Sequence, residues 1–197
     1  MQSVGELSEV YQGMRLLAAQ QCAPVMFGVK PANLLVIDKS YAKVLKSLIV
    51  STGLRARCFD HTTDRQVWYL FDEKALGALL ADPAGRSFIR DYGYDETMTM
   101  DEILSLTARR FRSYKLGQAD FPHELGVLLG YPVGDVKGFI ENKGQNFLCC
   151  GYWKVYDNEQ QARETFKKYD LVKKIALYMV RAGVDFSHTA DYMPALA

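Results

Sequence analysis

The feature of this sequence that most constrains the fold is a pair of strand-like segments separated by a short polar link. Residues 54–60 and 65–71 are joined by His61-Thr62-Thr63-Asp64, and the second segment contains the run Val67-Trp68-Tyr69-Leu70-Phe71. β-Branched and aromatic residues favour extended structure, and a short polar link favours an antiparallel hairpin. An antiparallel pair is typical of α+β proteins and argues against a doubly wound parallel sheet.

Other segments set the number of elements. Residues 25–28, 33–37 and 147–156 also favour strands, so about five strands are expected. Helical periodicity recurs between them, chiefly in the second half, where Thr99 and Glu102 have the spacing of a capping box. We therefore predict an α+β fold, with a mixed sheet of about five strands, helices packed on it and a mostly helical C-terminal half.

The length of 197 residues is sufficient for a single compact domain spanning residues 1–197. Within it we expect two possible sub-lobes, one at 1–95 that builds the sheet and one at 96–197 that is mostly helical and returns one strand.

Charge and cysteine usage exclude several classes of protein. The 24 basic and 23 acidic residues are divided evenly along the chain and give a net charge of +1. A nucleic-acid binder usually carries a basic excess, so a small molecule or another protein is the expected partner.

No apolar stretch is long enough to cross a bilayer, and the first residues lack the pattern of a signal peptide, so a cytoplasmic location is expected. The four cysteines should then be reduced thiols, and their spacing matches no zinc motif.

The segment 121–156 carries two short motifs, Pro122-His123-Glu124 and Leu129-Gly130-Tyr131-Pro132. In these motifs the chain resembles a bacterial family, domain of unknown function 3793, whose hallmarks are Pro-His-Glu and Leu-Gly-Tyr-x-Pro. The second motif lacks the spacer residue here. Members of that family have about the length of this chain, so the resemblance extends over the whole sequence. It implies a soluble bacterial protein with no settled activity.

His123 and Glu124 are the first candidates for chemistry, because Asp120-Phe121-Pro122 predicts a helix whose first turn contains both. The free N–H groups and the dipole at a helix N-terminus favour an ionised carboxylate and a neutral imidazole. A neutral imidazole can act as a general base or bind a metal or haem, and His123 is the only plausible metal ligand identified. The alternative is structural, with Glu124 serving the helix N-terminus and His123 hydrogen-bonded to a loop.

Cys149 and Cys150 lie in the predicted strand 147–156, where neighbouring side chains point to opposite faces. Cys150 is expected on the same face as Lys154, and a nearby ammonium group can make a thiol reactive. Cys150 is therefore a candidate nucleophile. The alternative is that both cysteines are small buried residues.

Residues 124–139 have the spacing of a helix-turn-helix, with Gly126 where the two helices would touch and Gly130 at the turn. We expect Asp135 and Glu141 on the exposed face of the second helix, which lacks the basic and amide-rich surface that reads DNA. A purely structural helix pair is the alternative to a DNA-binding one.

Three functions of different class follow from these residues. The first is the binding of a small ligand or cofactor near the two motifs, because polar and aromatic side chains cluster there among glycine turns. The second is an enzyme that uses His123 or Cys150 as base or nucleophile, and the third is DNA binding by residues 124–139. The cofactor is left unassigned. The candidate ligand-binding residues are Lys30, Tyr131, Asn142, Lys143, Trp153 and Lys154.

Overall fold

The structure, a computed structural model, describes residues 4–189 and gives side-chain surroundings from residue 8 onward. The described chain forms helices and strands in an α+β arrangement, as predicted. In chain order the elements are α1 (Val4–Met26), β1 (Ala32–Asp38), α2 (Ala42–Thr52), β2 (Arg55–His61), β3 (Arg65–Phe71), α3 (Glu73–Ala81), α4 (Pro83–Asp91), α5 (Met100–Lys115), α6 (Glu124–Leu128), α7 (Val133–Glu141), β4 (Cys149–Cys150), β5 (Lys154–Val155) and α8 (Glu159–Arg181).

The strands form two separate antiparallel sheets. β2 and β3 make the predicted hairpin, with Arg55 opposite Phe71 and His61 opposite Gln66. β1 pairs with the other side of β3, so the order of the larger sheet is β1-β3-β2. β4 and β5 pair only with each other among the described residues. Residues 4–189 therefore contain five strands, as predicted, but these strands are divided between two antiparallel sheets instead of sharing one mixed sheet.

Two of the predicted strands are replaced by other structure. Residues 25–28 do not form a strand, because α1 continues past Pro24 to Met26. Val25 is 1 % exposed, and its burial on the helix outweighs the loss of a single helical hydrogen bond at proline. The predicted strand 147–156 reverses direction at Gly151, whose N–H donates to the carbonyl of Trp153 at 3.0 Å. That segment is therefore a hairpin.

The chain divides into two compact units. Among the described residues, the first contains those up to Glu73 and from Tyr169 onward, and the second contains Lys74–Lys168. Each has buried apolar side chains of its own. In the first unit these include Met14, Ala18, Cys22, Leu35, Leu45, Leu70, Val172, Ala176 and Met179. In the second they include Phe88, Ile103, Leu104, Leu125, Leu128 and Val155.

Local signals in the sequence place two helices of the second unit. Thr99 and Glu102 form the predicted capping box at the start of α5, with the Thr99 N–H donating to Glu102 at 2.8 Å and the Glu102 N–H to the Thr99 hydroxyl at 3.3 Å. The Thr99 N–H and the Thr99 hydroxyl, which donates to the Glu102 carboxylate at 2.7 Å, lower the pKa of Glu102. Gly130 has a φ of 80°, which L side chains rarely adopt, and it separates α6 from α7 as predicted.

One side chain of α1 covers the outer edge of β1 at Val36. The Val36 N–H donates to Gln21 Oε1 at 3.0 Å, and Gln21 Nε2 donates to the Val36 carbonyl at 3.4 Å. Asn33 Nδ2 also donates to the Gln21 carbonyl at 2.9 Å. The carboxamide thus satisfies both backbone groups that Val36 presents at this edge.

Candidate functional site

His123 lies immediately before the first turn of α6, as its N-cap residue, and its side chain is half-buried. Its ring lies between two phenyl rings, with the Phe121 centroid at 5.5 Å and the Phe139 centroid at 5.7 Å. Among the described residues, the imidazole nitrogens form no hydrogen bond with the protein, and the side chain does not cap α6. The structural alternative considered above, a hydrogen bond from His123 to a loop, is therefore not what this part of the chain shows.

His123 is the centre of a longer series of ring contacts, which we call the aromatic row. Tyr114 packs edge-to-face on Phe121 at 5.1 Å and extends the row on one side. On the other side, the Lys154 ammonium lies 5.7 Å from the Phe139 ring and 4.9 Å from the Phe147 ring. Tyr114, Phe121 and Phe147 are 41 %, 39 % and 41 % exposed. The aromatic row consists of Tyr114, Phe121, His123, Phe139, Phe147 and Lys154.

Lys154 fixes one end of this row. Its ammonium donates to the carbonyl of Gly144 at 2.6 Å. Gly144 follows the C-terminus of α7, where a positive charge is favourable. An ammonium can donate three hydrogen bonds, so this side chain stabilises the helix end while it keeps further donors.

Glu124 is buried inside the second unit and contacts residues that are not part of the aromatic row. Its side chain is 1 % exposed, and its Oε1 accepts hydrogen bonds from the Tyr94 hydroxyl at 2.9 Å and from Arg110 Nη1 at 3.0 Å. The Arg110 guanidinium also lies over the Tyr94 ring at 5.0 Å. Burial is the main cause that raises the pKa of Tyr94. The carboxylate therefore joins α5 to α6, and His123 and Glu124 point to different surroundings, as neighbouring helical residues do.

The Leu-Gly-Tyr-Pro motif forms the turn between α6 and α7. After Gly130, the Tyr131 ring stacks on Trp153 at 5.2 Å, and Trp153 meets Phe166 of α8 edge-to-face at 4.5 Å. Burial raises the pKa of Tyr131. Pro132 is the N-cap residue of α7, so the motif both reverses the chain and supplies an aromatic contact for the β4–β5 hairpin.

Asp135 organises that hairpin, and sequence reasoning missed its role. It is 3 % exposed, so the expectation that it lies on the exposed face of α7 is wrong. Its Oδ2 accepts from the Trp153 indole N–H at 2.6 Å, and its Oδ1 accepts from the backbone N–H of Tyr156 at 2.7 Å and of Asp157 at 3.1 Å. No local pattern identifies such a residue, because its three partners follow it by 18 to 22 positions.

Both motifs now have defined places, one at the start of α6 and the other between α6 and α7. The sequence profile of a family described as "Protein of unknown function (DUF3793)" matches residues 18–189. The chain belongs to this family. No curated protein and no solved structure shows significant similarity to it. No helix within residues 4–189 is both long and apolar enough to cross a membrane.

In this DUF3793 chain, two of the predicted ligand-binding residues lie at the end of α7. Asn142 Nδ2 donates to the Gly138 carbonyl at 2.9 Å and thereby closes the helix. Lys143 is exposed and has a φ of 50°. Their assignment as ligand contacts stays a prediction.

The predicted helix-turn-helix corresponds to α6 and α7. The ideal Cβ position of Gly126 lies 3.0 Å from a methyl group of Val136, which confirms that a small residue is needed where these helices touch. However, α6 has only five residues, and α7 buries Asp135, Val136 and Gly138. DNA binding by this pair stays a prediction.

Cys149 and Cys150 lie on β4, opposite Val155 and Lys154 respectively. Cys150 is exposed and Cys149 is half-buried. The prediction that Cys150 and Lys154 are neighbours on one face therefore holds across the hairpin and not along a single strand. The sulfur atoms of both residues are free thiols.

Lys30 belongs to the first unit, and its side chain is 4 % exposed. Burial lowers its pKa from 10.5 to about 8, while the Cys22 thiol acts in the opposite direction. Burial likewise raises the pKa of Cys22 from 9.0 to about 12, against the effect of Lys30. Lys30 is thus a core residue, and its role in ligand binding stays a prediction.

The sequence makes His123 a candidate metal ligand. Within the described residues, no group of three or more His, Cys, Asp and Glu side chains is arranged to hold a metal ion. The neighbours of the His123 ring are the aromatic rings of Phe121 and Phe139.

Proposed function

We propose that this protein binds a small, flat aromatic compound on the aromatic row, and that His123 supplies the hydrogen bond that orients it. One observation carries the proposal: a half-buried imidazole with no hydrogen bond to the described protein lies between two phenyl rings in a partly exposed row. Exposed apolar surface of this kind, with a few convergent polar groups, is typical of recognition sites.

The chemistry of the row matches such a ligand. A flat ring that covers Phe121 or Phe147 removes apolar surface from water and can stack on or edge against the phenyl groups. The imidazole carries one donor and one acceptor when neutral, so it can pair with either kind of group on the ligand. The Lys154 ammonium at the far end of the row favours a ligand that carries an acceptor or a negative charge.

The other polar side chains of the region hold the helices and the hairpin that carry the aromatic row. Glu124 joins α5 to α6, Asn142 closes α7, and Asp135 fixes the β4–β5 hairpin. These intramolecular hydrogen bonds hold the elements that carry the rings. In this proposal they position the row and do not contact the ligand.

A fluorescent aromatic sulfonate, anilinonaphthalene sulfonate, is a suitable probe because it is flat, apolar and anionic. We expect one probe molecule to bind per chain, and two variants to weaken its binding. His123→Phe keeps a ring and removes the hydrogen bond, whereas Phe121→Leu keeps apolar volume and removes the ring. Each interaction is worth about 1 kcal/mol, so each variant should lower the affinity by about fivefold to tenfold.

Val50→Ala is the matched control, since Val50 is an apolar side chain on α2 that is 73 % exposed. It should leave the affinity unchanged. Equal affinities for wild type, His123→Phe and Phe121→Leu would contradict the proposal, as would an equal loss in the control.

A further inference from the structure

We propose that Cys149 and Cys150 form a reversible intramolecular disulfide, and that its formation opens the β4–β5 hairpin. The disulfide is inferred only from the geometry of the hairpin. The consequence for ligand binding rests on the function proposed above, because the hairpin carries Lys154 of the aromatic row.

Cys149 and Cys150 are neighbouring nucleophiles, and neither of them belongs to the aromatic row. They are adjacent in the chain, so each is always present at high effective concentration for the other. Cys150 is exposed and can meet an oxidant from solvent. Cys149 is half-buried and lies in the electrostatic field of Arg163, whose pKa is raised chiefly by its hydrogen bond with Glu159 and further by this thiol.

The extended geometry of β4 is incompatible with the bond. Neighbouring side chains on a strand point to opposite faces, and adjacent Cα atoms are about 3.8 Å apart, closer than in ordinary disulfides. Closing the ring therefore requires the Cys149–Cys150 peptide to rotate out of the strand. β4 consists of these residues alone, so its pairing with Val155 and Lys154 would be lost altogether.

The same strain makes the bond easy to reverse. A disulfide held in unfavourable geometry is more readily reduced than a relaxed one, which is the property of regulatory disulfides. The reaction needs an oxidant, and oxidised glutathione serves as one. The Cys150 thiolate attacks it and releases one glutathione thiol; the Cys149 thiolate then attacks the Cys150 sulfur and releases the second. Two protein thiols are oxidised, one glutathione disulfide is reduced, and the two protons pass to the released thiols.

Opening the hairpin would disturb two contacts described above. The Trp153 indole donates to Asp135 at 2.6 Å from the turn between β4 and β5. The Lys154 ammonium donates to the Gly144 carbonyl at 2.6 Å from β5. Oxidation is therefore expected to change the surroundings of Trp153 and to release Lys154 from the end of the aromatic row.

The test uses the full-length protein treated with oxidised glutathione and then analysed by intact mass and peptide mapping. We expect the wild type to lose two hydrogen atoms within the peptide that contains Cys149 and Cys150, and dithiothreitol to restore the original mass. Cys149→Ser should instead retain glutathione on Cys150. A wild type that retains glutathione there, or that does not react, would overturn the proposal.

Tryptophan fluorescence in a Trp68→Phe background reports on Trp153, the remaining tryptophan of the sequence. The emission should shift on oxidation and return on reduction, while the Cys149→Ser variant should show no such shift. An oxidised protein with unchanged emission would refute the opening of the hairpin.

Binding of anilinonaphthalene sulfonate to oxidised and reduced protein tests the coupling. Weaker binding by the oxidised form supports it, and equal binding refutes it. If the reduced protein binds the probe independently of His123, the function proposed above fails while the disulfide itself still stands on the mass and fluorescence results.

Discussion

Replacement of Glu124 by glutamine tests whether the buried ion pair with Arg110 supports the second unit. Glu124→Gln keeps the size of the side chain and an oxygen that can accept from Tyr94, but it removes the negative charge. Arg110 then lies beside a neutral amide, at a position where the wild-type Glu124 side chain is 1 % exposed.

The expected loss follows from the exposure of the two partners. Breaking a fully buried ion pair costs about 3–5 kcal/mol, because one charge is left without a partner. The Arg110 side chain is 35 % exposed, so its guanidinium can turn to water and part of that cost is avoided. We expect Glu124→Gln to lower the free energy of unfolding by about 2 kcal/mol.

The converse substitution should cost more. In Arg110→Met the charge left behind is the Glu124 carboxylate, which is 1 % exposed and cannot reach water without local unfolding. We expect a loss at the upper end of about 3–5 kcal/mol. The exposed pair Arg90–Glu96 of the second unit, with side chains 54 % and 65 % exposed, is the matched control, and Glu96→Gln should change stability by less than about 1 kcal/mol.

Urea unfolding followed by Trp153 emission in the Trp68→Phe background reports on the second unit. The double variant of Glu124 and Arg110 completes a thermodynamic cycle whose coupling energy isolates the pair. The reasoning is refuted if Glu124→Gln costs no more than Glu96→Gln, or if Arg110→Met is less harmful than Glu124→Gln.

Two further predictions concern packing and pH. Gly138→Ala would place a Cβ 2.4 Å from the Tyr156 Cβ, so it should destabilise the protein by about 1–3 kcal/mol or more. Gly77→Ala is its control in α3, where the nearest atom is 3.7 Å away; urea unfolding should show it to be neutral or stabilising. The free energy of unfolding should rise with pH from about 8 to 9. In the folded protein the pKa of Lys30 is lowered to about 8, so Lys30 loses its proton in this range, whereas in the unfolded chain it keeps its proton. Lys30→Met should abolish that rise. Cys22→Ala should remove an opposing decline in the free energy of unfolding above pH 9, where only the folded thiol keeps its proton. If the free energy of unfolding depends on pH in the same way for the wild type and both variants, both assignments are contradicted.

The sequence correctly predicts those elements whose signals lie within a few neighbouring residues. The hairpin of β2 and β3, the capping box at Thr99 and Glu102, and the break at Gly130 are all present. Each depends on propensity, capping or a backbone angle that one short segment determines. The predicted strand at residues 25–28 is wrong because burial of Val25 and Met26 stabilises α1 past Pro24, and burial depends on distant parts of the chain.

In the candidate site, too, the sequence predicts what depends on neighbouring residues and misses what depends on distant ones. The Pro-His-Glu motif identifies His123 as a candidate, and in the structure its imidazole forms no hydrogen bond within the described residues. Its neighbours Phe139 and Lys154 could not be assigned to it from the sequence, because a contact over so many residues leaves no local pattern. Asp135 is the clearest example: its buried hydrogen bonds to Trp153 and Tyr156 depend on the hairpin, which sequence reasoning treated as one strand.

The carboxamide of Gln21 has a consequence for how this protein behaves among its own copies. A sheet edge with free N–H and C=O groups is a template on which another chain can add a strand. At β1 that position is already taken, because Gln21 binds both backbone groups of Val36. At β2 the register shifts between Cys58 and Asp60, and such a bulge twists an edge away from regular pairing. These two features oppose the addition of a further strand at the two edges of the three-stranded sheet.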